Sequence, residues 1–304
     1  MEERGPARSG GVIIAHIKAI HAREMNREET GGAKIAGSKK ARGAPNVTAM
    51  KNIIFITGTD TGVGKTVLTS LLTRFLRDEG CDALAMKPFC SGSRGDARLL
   101  RAAGDDLLTL DEINPFYFEK PVAPAADGGR GKIVSLDTVL GKIRAVSDRC
   151  DVLLVEGSGG LLVPLGKNYT IADVIAGLGC PALVVSRNRL GTINHTLLTV
   201  RVMEGVGIKK IGIVVMEAGR PDISSRNNLQ FIREMASSGP VFSVPNLGKK
   251  ASNTREIKNN AKKMKKVLAP ITGGAIFNLV LRDSPKKQKK DCSTKPVDNR
   301  FRIK

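Results

Sequence analysis

Gly58-Thr59-Asp60-Thr61-Gly62-Val63-Gly64-Lys65-Thr66 decides how this 304-residue chain is read. An apolar run, 52–57, leads into it and an amphipathic run, 67–79, follows. Strand, glycine-rich loop and helix form the context a phosphate-binding loop requires. Backbone N–H groups of the loop and of the helix start have no internal partners, so they are free to face phosphate oxygens. Glycine at 62 and 64 removes Cβ where the backbone must come close. Lys65 brings a compact charge to the β- and γ-phosphates, and Thr66 offers a hydroxyl to Mg²⁺. The strict spacing would place glycine at 59, where this chain has Thr; the upstream glycine is Gly58, one residue early.

Working outward, apolar runs alternate with helical stretches. Strands are expected at 52–57, 83–87, 152–156, 182–186, 211–216 and 241–244, each short and rich in Val, Ile, Leu and Ala, as in strands buried on both faces. Helices are expected at 65–79, 96–103, 135–148, 170–178, 192–204 and 224–237, with Gly80, Gly179, Gly205 and Gly239 as stops. The pattern predicts an α/β fold like that of P-loop nucleoside triphosphate hydrolases, with a mostly parallel sheet and helices on both faces. Such sheets bind ligands beyond the carboxyl ends of their strands. Three strand ends stand out. Lys87 is followed by Pro88, Ser91 and, further on, Asp96, which could be a plain N-cap. Glu156 closes a buried apolar strand, where a carboxylate needs a partner or a metal, and leads into Gly157-Ser158-Gly159. Leu190 to His195 open a helix whose N–H groups could hold a carboxylate or simply be capped.

Composition narrows the function. The net charge is +20, but residues 1–50 carry +4, 51–248 carry +3 and 249–304 carry +13. The central segment is nearly neutral, so the charge does not describe its function. With no Trp and two Tyr, base-stacking platforms are not expected, and nucleic acid is read as no partner. The basic tail, 249–304, is expected to be solvated, with 271–281 packed on the domain. Residues 1–49 show no sustained period and read as a disordered extension. The five cysteines form no C-x-x-C pair, which suggests reduced thiols in a cytoplasmic setting without structural zinc. No run of 18 apolar residues suggests a membrane span. The expected organisation is therefore one domain over 50–248 between two basic tails.

Several of these pieces together resemble the dethiobiotin synthetase family. They are the loop 58–66; Lys87-Pro88 with Ser91-Gly92; Asn114-Pro115-Phe116; Val155-Glu156-Gly157 with Gly159-Gly160; Ala172-Asp173; and Leu190-Gly191 with Ile193-Asn194-His195. They stand in the family's order over 50–281, and the family's loop carries the same extra residue. The resemblance implies ATP-dependent closure of a cyclic urea on 7,8-diaminopelargonic acid, through a carbamate and a carbamic–phosphoric anhydride. It implies a catalytic Lys87, with Lys65 and Thr61 at the reacting groups. Ser91, Thr61, Ile193 and Asn194 would meet the substrate, the last two across a homodimer interface. Gly62, Val63, Gly64, Lys65, Thr66 and Val67 would hold the phosphates, and Asp96, Glu156, Gly157, Ser158 and Gly159 would complete the nucleotide site. Thr66, Asp96 and Glu156 would carry Mg²⁺. Met216, Glu217, Pro245, Asn246 and Leu247 fall at the base-proximal positions. The family commonly has Asn-Asp where Met216-Glu217 stand, and a methionine cannot pair with adenine's edge; looser base selection is expected. The alternative reading is a partition-type switch ATPase with a DNA-binding tail. Asp60 stands where those proteins carry a loop lysine.

Overall fold

The computed structural model describes residues 53–126, 134–220, 222–236, 239–248 and 250–273. The readings of 1–49 and of 274 onward lie outside these residues. Six strands form one sheet: β1 (Ile53–Gly58), β2 (Ala83–Met86), β5 (Val152–Glu156), β8 (Ala182–Arg187), β9 (Ile211–Met216) and β10 (Val241–Val244). Their order is β10-β9-β8-β1-β5-β2, and every neighbouring pair is parallel. β1, β2, β5 and β9 are buried from end to end, which is why their sequences are continuous rather than alternating apolar runs.

Helices cover the sheet: α1 (Lys65–Asp78), α2 (Gly95–Ala103), α4 (Leu136–Ser147), α5 (Ile171–Leu178), α6 (Thr192–Gly205) and α7 (Ser225–Met235), with one short turn, α3 (Leu110–Ile113), after α2. Of the expected stops, Gly179 is the left-handed cap of α5. Gly205 instead remains inside α6, and Gly207, at φ 84°, makes the turn. Two small sheets were not foreseen: β3 (Phe89–Ser91) with β4 (Phe116–Phe118), and β6 (Pro164–Gly166) with β7 (Tyr169–Thr170).

The domain does not stop at 248. Helices α8 (Thr254–Lys263) and α9 (Lys265–Gly273) follow, and α8 packs on α1 and α2. Their buried stripe is Ile257, Ala261, Met264, Leu268 and Ile271, spaced to share one helical face, and Lys265 pairs with Glu79 at 2.7 Å. The start of the basic segment is therefore scaffold with its cations facing outward, not a solvated tail.

Gly239 enters β10 at φ 81°, and a Cβ there would lie 1.6 Å from the Ile211 carbonyl oxygen. Gly239→Ala combines a left-handed strain with a backbone collision, so it should destabilise the fold by about 3 kcal/mol or more. Urea unfolding of the variant checks this; a loss under about 1 kcal/mol would contradict it.

Candidate active site

A parallel sheet puts all its carboxyl ends on one edge. Register aligns Ile56 with Glu156, Arg187 with Met216, and Met216 with Val244. The phosphate-binding loop therefore rises beside Glu156, while Met216 and the residues after Val244 stand on its other side.

Lys87 follows β2 and is fixed through its backbone. Its N–H donates to the Ile113 carbonyl at 2.9 Å. The buried Asn114 amide donates to the carbonyls of Lys87 and Pro88, both at 3.1 Å. The Asn-Pro-Phe motif thus serves as scaffold for the lysine loop. The Lys87 ammonium then bridges two carboxylates. It donates to Glu156 Oε1 at 2.9 Å and to Asp96 Oδ2. Asp96 lies in the first turn of α2 and caps nothing; Arg94 is the N-cap residue, without a side-chain capping bond. Burial alone would lower the pKa of Lys87, but the Glu156 and Asp96 charges outweigh it and hold the pKa above the ordinary lysine value.

Thr66 Oγ1 donates to the same Glu156 Oε1 at 2.7 Å. Glu156 is fully buried, and its Oε2 has no hydrogen-bond partner. Such an oxygen is costly to leave unmet. A hydroxyl and two carboxylates, one of them with an orphaned oxygen, form the hard-oxygen donor set that Mg²⁺ uses alongside substrate phosphates. No group of three or more His, Cys, Asp or Glu suited to a metal occurs among the described residues. A site that completes its shell with phosphate does not need one. The residues present therefore fit Mg²⁺.

Lys65 opens α1 and is buried. Its ammonium donates to the carbonyls of Asp60 at 2.8 Å and Gly159 at 2.6 Å. Burial lowers its pKa to about 8, the strongest influence there, with Glu156 pulling the other way. Bound phosphates favour the charged form, so nucleotide binding should take up protons once the free lysine begins to lose its own. We expect affinity to weaken as pH rises past about 8, approaching tenfold per unit. Calorimetry at pH 8.5 in two buffers of different ionisation heat should register proton uptake; its absence would contradict the assignment.

Two cavities flank the loop. One of about 380 Å³ is lined by Thr61, Lys87, Cys90, Ser91, Asp96, Ser158 and Gly159, and by Pro121–Pro124. Ser91 Oγ is buried there without a partner. The second, about 190 Å³, is lined by Gly62, Val63, Gly64, Val67, Met216, Glu217, Pro245, Asn246 and Leu247, together with Arg187. Met216 packs on Gly64: a Cβ on that residue, at φ 107°, would lie 3.1 Å from Met216 Cγ.

Most residues read from the sequence thus converge, but three do not. Gly157 is buried, its N–H donates to Ile56, and a Cβ there would press on Phe55 and Ile171; it lines neither of these cavities. Ile193 and Asn194 lie at the start of α6, away from the Lys87 cavity in a single chain. Arg187, Asn188 and the lining segment Pro121–Pro124 were missed in the sequence. Asn188 donates to Glu217 Oε2 at 2.8 Å, a contact no local motif announces.

Comparison with known proteins agrees with this geometry. The family described as an AAA domain matches residues 52–253. The ATP-dependent dethiobiotin synthetase of Bacillus licheniformis is 38% identical over 201 residues, covering 64% of this chain and 83% of that protein. That of Anaeromyxobacter dehalogenans is 47% identical over 174 residues, covering 56% and 78%. The MinC:MinD cell division complex of Aquifex aeolicus superposes with a TM-score of 0.52 at 15% identity, covering 74% of this chain and 97% of that one; this is a likeness of fold alone. The glycine loop with its extra residue, the Lys87–Glu156 centre and these relatives converge: the chain belongs to the dethiobiotin synthetase family.

Proposed function

We propose that the protein is an ATP-dependent cyclo-ligase of biotin biosynthesis that converts 7,8-diaminopelargonic acid and CO₂ to dethiobiotin. The observation that carries this is Lys87, a buried ammonium at the edge of a cavity that also meets the phosphate-binding loop. A switch ATPase needs a nucleotide site but no second cavity of this kind.

In this reading the diamine enters the Lys87 cavity with a carbamate on one amine. The carbamate oxygen attacks the γ-phosphorus, and ADP leaves. The second amine then attacks the carbonyl of the mixed anhydride, closing the urea ring and expelling phosphate. Phosphoryl transfer asks the protein mainly for position and charge. Lys87 and Lys65 supply positive charge on two sides of the transferring group. Thr61 and Ser91 present hydroxyls to the carbamate end. Thr66, Asp96 and Glu156 would hold Mg²⁺, which spreads the negative charge of the phosphates when bound. Ile193 and Asn194 would reach the substrate's carboxylate from a second copy. Leu190, 79% exposed, and Ile223, 88% exposed, support a homodimer through this face. A cytoplasmic setting accords with the four free cysteines among the described residues. None of the described helices is long and apolar enough to cross a membrane.

The test is direct. The full chain is incubated with diaminopelargonic acid, bicarbonate, Mg²⁺ and ATP, and dethiobiotin is followed by mass spectrometry. Folded protein that binds nucleotide but forms no dethiobiotin would overturn the reading.

The base cavity adds a prediction. Glu217 already accepts from Asn188 and from Ser243 Oγ, both at 2.8 Å. Asn246 accepts from the Gly248 N–H at 2.9 Å and donates to the Glu217 carbonyl at 3.3 Å. With these groups engaged and Met216 on the wall, the base meets a largely apolar slot. Apolar pockets discriminate by about 10- to 200-fold, hydrogen-bonding ones by about 10⁴ or more. We expect kcat/KM for ATP, CTP and GTP to agree within about 200-fold; an ATP preference of about 10⁴ would contradict this.

A further inference from the structure

The Lys87 ammonium bridges the same two carboxylates, Asp96 and Glu156, that are assigned to the metal. We propose that Lys87 is an exchangeable internal counter-ion: it holds the Asp96–Glu156 carboxylate pair until a divalent cation takes its place, and the displaced ammonium swings into the adjoining cavity to meet the anionic carbamate. The inference rests on the assignment of Thr66, Asp96 and Glu156 to the cation.

Four observations carry it. First, one ammonium bridges both carboxylates, donating to Glu156 Oε1 at 2.9 Å and to Asp96. Second, Thr66 Oγ1 donates to that same Oε1 at 2.7 Å, so the Lys87 ammonium and the loop hydroxyl assigned to the cation already converge on one carboxylate oxygen. A dication arriving with Lys87 in place would put three positive charges around two carboxylates, one of which, Glu156, is fully buried. Third, the ammonium is not already solvated where it stands, since Lys87 is only 8% exposed and its charge is met by the two carboxylates. Fourth, it has somewhere to go: the residue lines the cavity shared with Thr61 and Ser91. Four rotatable side-chain bonds let its point charge turn there without moving the backbone, which the Ile113 and Asn114 bonds hold.

The consequence is coupling. An anion in the cavity stabilises the turned lysine and so frees the carboxylates, which raises cation affinity. By linkage the cation raises the anion's affinity by the same factor. Lys87 therefore reports to the carbamate pocket whether the metal is in place, before any phosphate is transferred.

Binding of Mn²⁺ alone tests this, read as the loss of its free paramagnetic resonance signal. The full chain is used without nucleotide: wild type, Lys87→Met, Lys87→Gln and Glu156→Gln. Both Lys87 variants should bind Mn²⁺ at least about tenfold more tightly than wild type, since the competing charge is gone, and Glu156→Gln should bind more weakly. A residue that merely supported the fold would not tighten metal binding when removed. A separate arm needs no variant. Diaminopelargonate with bicarbonate should tighten Mn²⁺ binding to wild type. Failure of the Lys87 variants to tighten, with Glu156→Gln weakened, overturns the exchange and leaves the metal assignment standing. Unchanged binding in Glu156→Gln overturns both. Absence of coupling in wild type that binds diaminopelargonate, with binding followed by calorimetry, overturns the exchange even if no Lys87 variant folds.

Discussion

Lys87→Ala should lower kcat for dethiobiotin formation by about 10³-fold while changing the KM for ATP by less than about threefold. The split follows from the two cavities. Met216, Pro245 and Leu247 stand around the base-proximal cavity on one side of the loop, and Lys87 faces the other. In the proposed reaction the residue's charge would act where negative charge gathers between carbamate and γ-phosphate, so its loss should be felt in the transition state more than in nucleotide binding. Lys87→Arg should not rescue. A planar guanidinium cannot take the position of a compact ammonium that bridges Asp96 and Glu156 at 10% side-chain exposure. Steady-state rates measured by mass spectrometry, with thermal melts beside them to confirm folding, decide this. A Lys87→Ala enzyme within about tenfold of wild-type kcat would remove Lys87 from the chemistry.

The parts of this site legible in the sequence are those that need only neighbours along the chain. Loop 58–66 announced itself by glycines between a strand and a helix, and Glu156 by being an acid where burial should forbid one. The strand runs were legible because a parallel sheet buried on both faces leaves no polar alternation. What stayed hidden depends on packing at a distance. Strand order sets Glu156 beside Ile56, and no local pattern carries that. Asp96 could be read as a helix cap until the packing of α2 brought it to Lys87. Other motif residues proved to be scaffold: Asn114 pins the Lys87 loop, and Asp173 closes a capping box with Thr170 at the start of α5. The basic segment misled for a different reason. Charge dominated its composition, while the stripe from Ile257 to Ile271 has the spacing of a helix face that packs.

Glu156→Gln should cost both activity and stability, and the two losses should separate in a double variant. The carboxylate is fully buried, accepts from Thr66 and Lys87, and leaves Oε2 unmet. Removing its charge takes away a carboxylate proposed to hold the metal and strands the buried half of a pair. We expect kcat to fall by about 10² to 10³ and stability to fall by about 3 kcal/mol. Lys87→Met should destabilise comparably, since it strands Glu156 instead. Replacing both, as Lys87→Met with Glu156→Leu, removes two buried charges together. Asp96 is left, but its side chain is 49% exposed and water can take over. The double variant should therefore melt within about 1 kcal/mol of wild type, or above it, and remain inactive. Denaturant unfolding of wild type, Lys87→Met, Glu156→Leu and the double variant in EDTA closes a cycle and gives the pair's coupling energy directly. If the double variant is as unstable as the sum of the singles, the carboxylate and ammonium are independent supports and the pair is not what holds this centre. If stability returns while activity does not, the protein keeps a buried ion pair that its fold does not require, and the chemistry is the reason it is there.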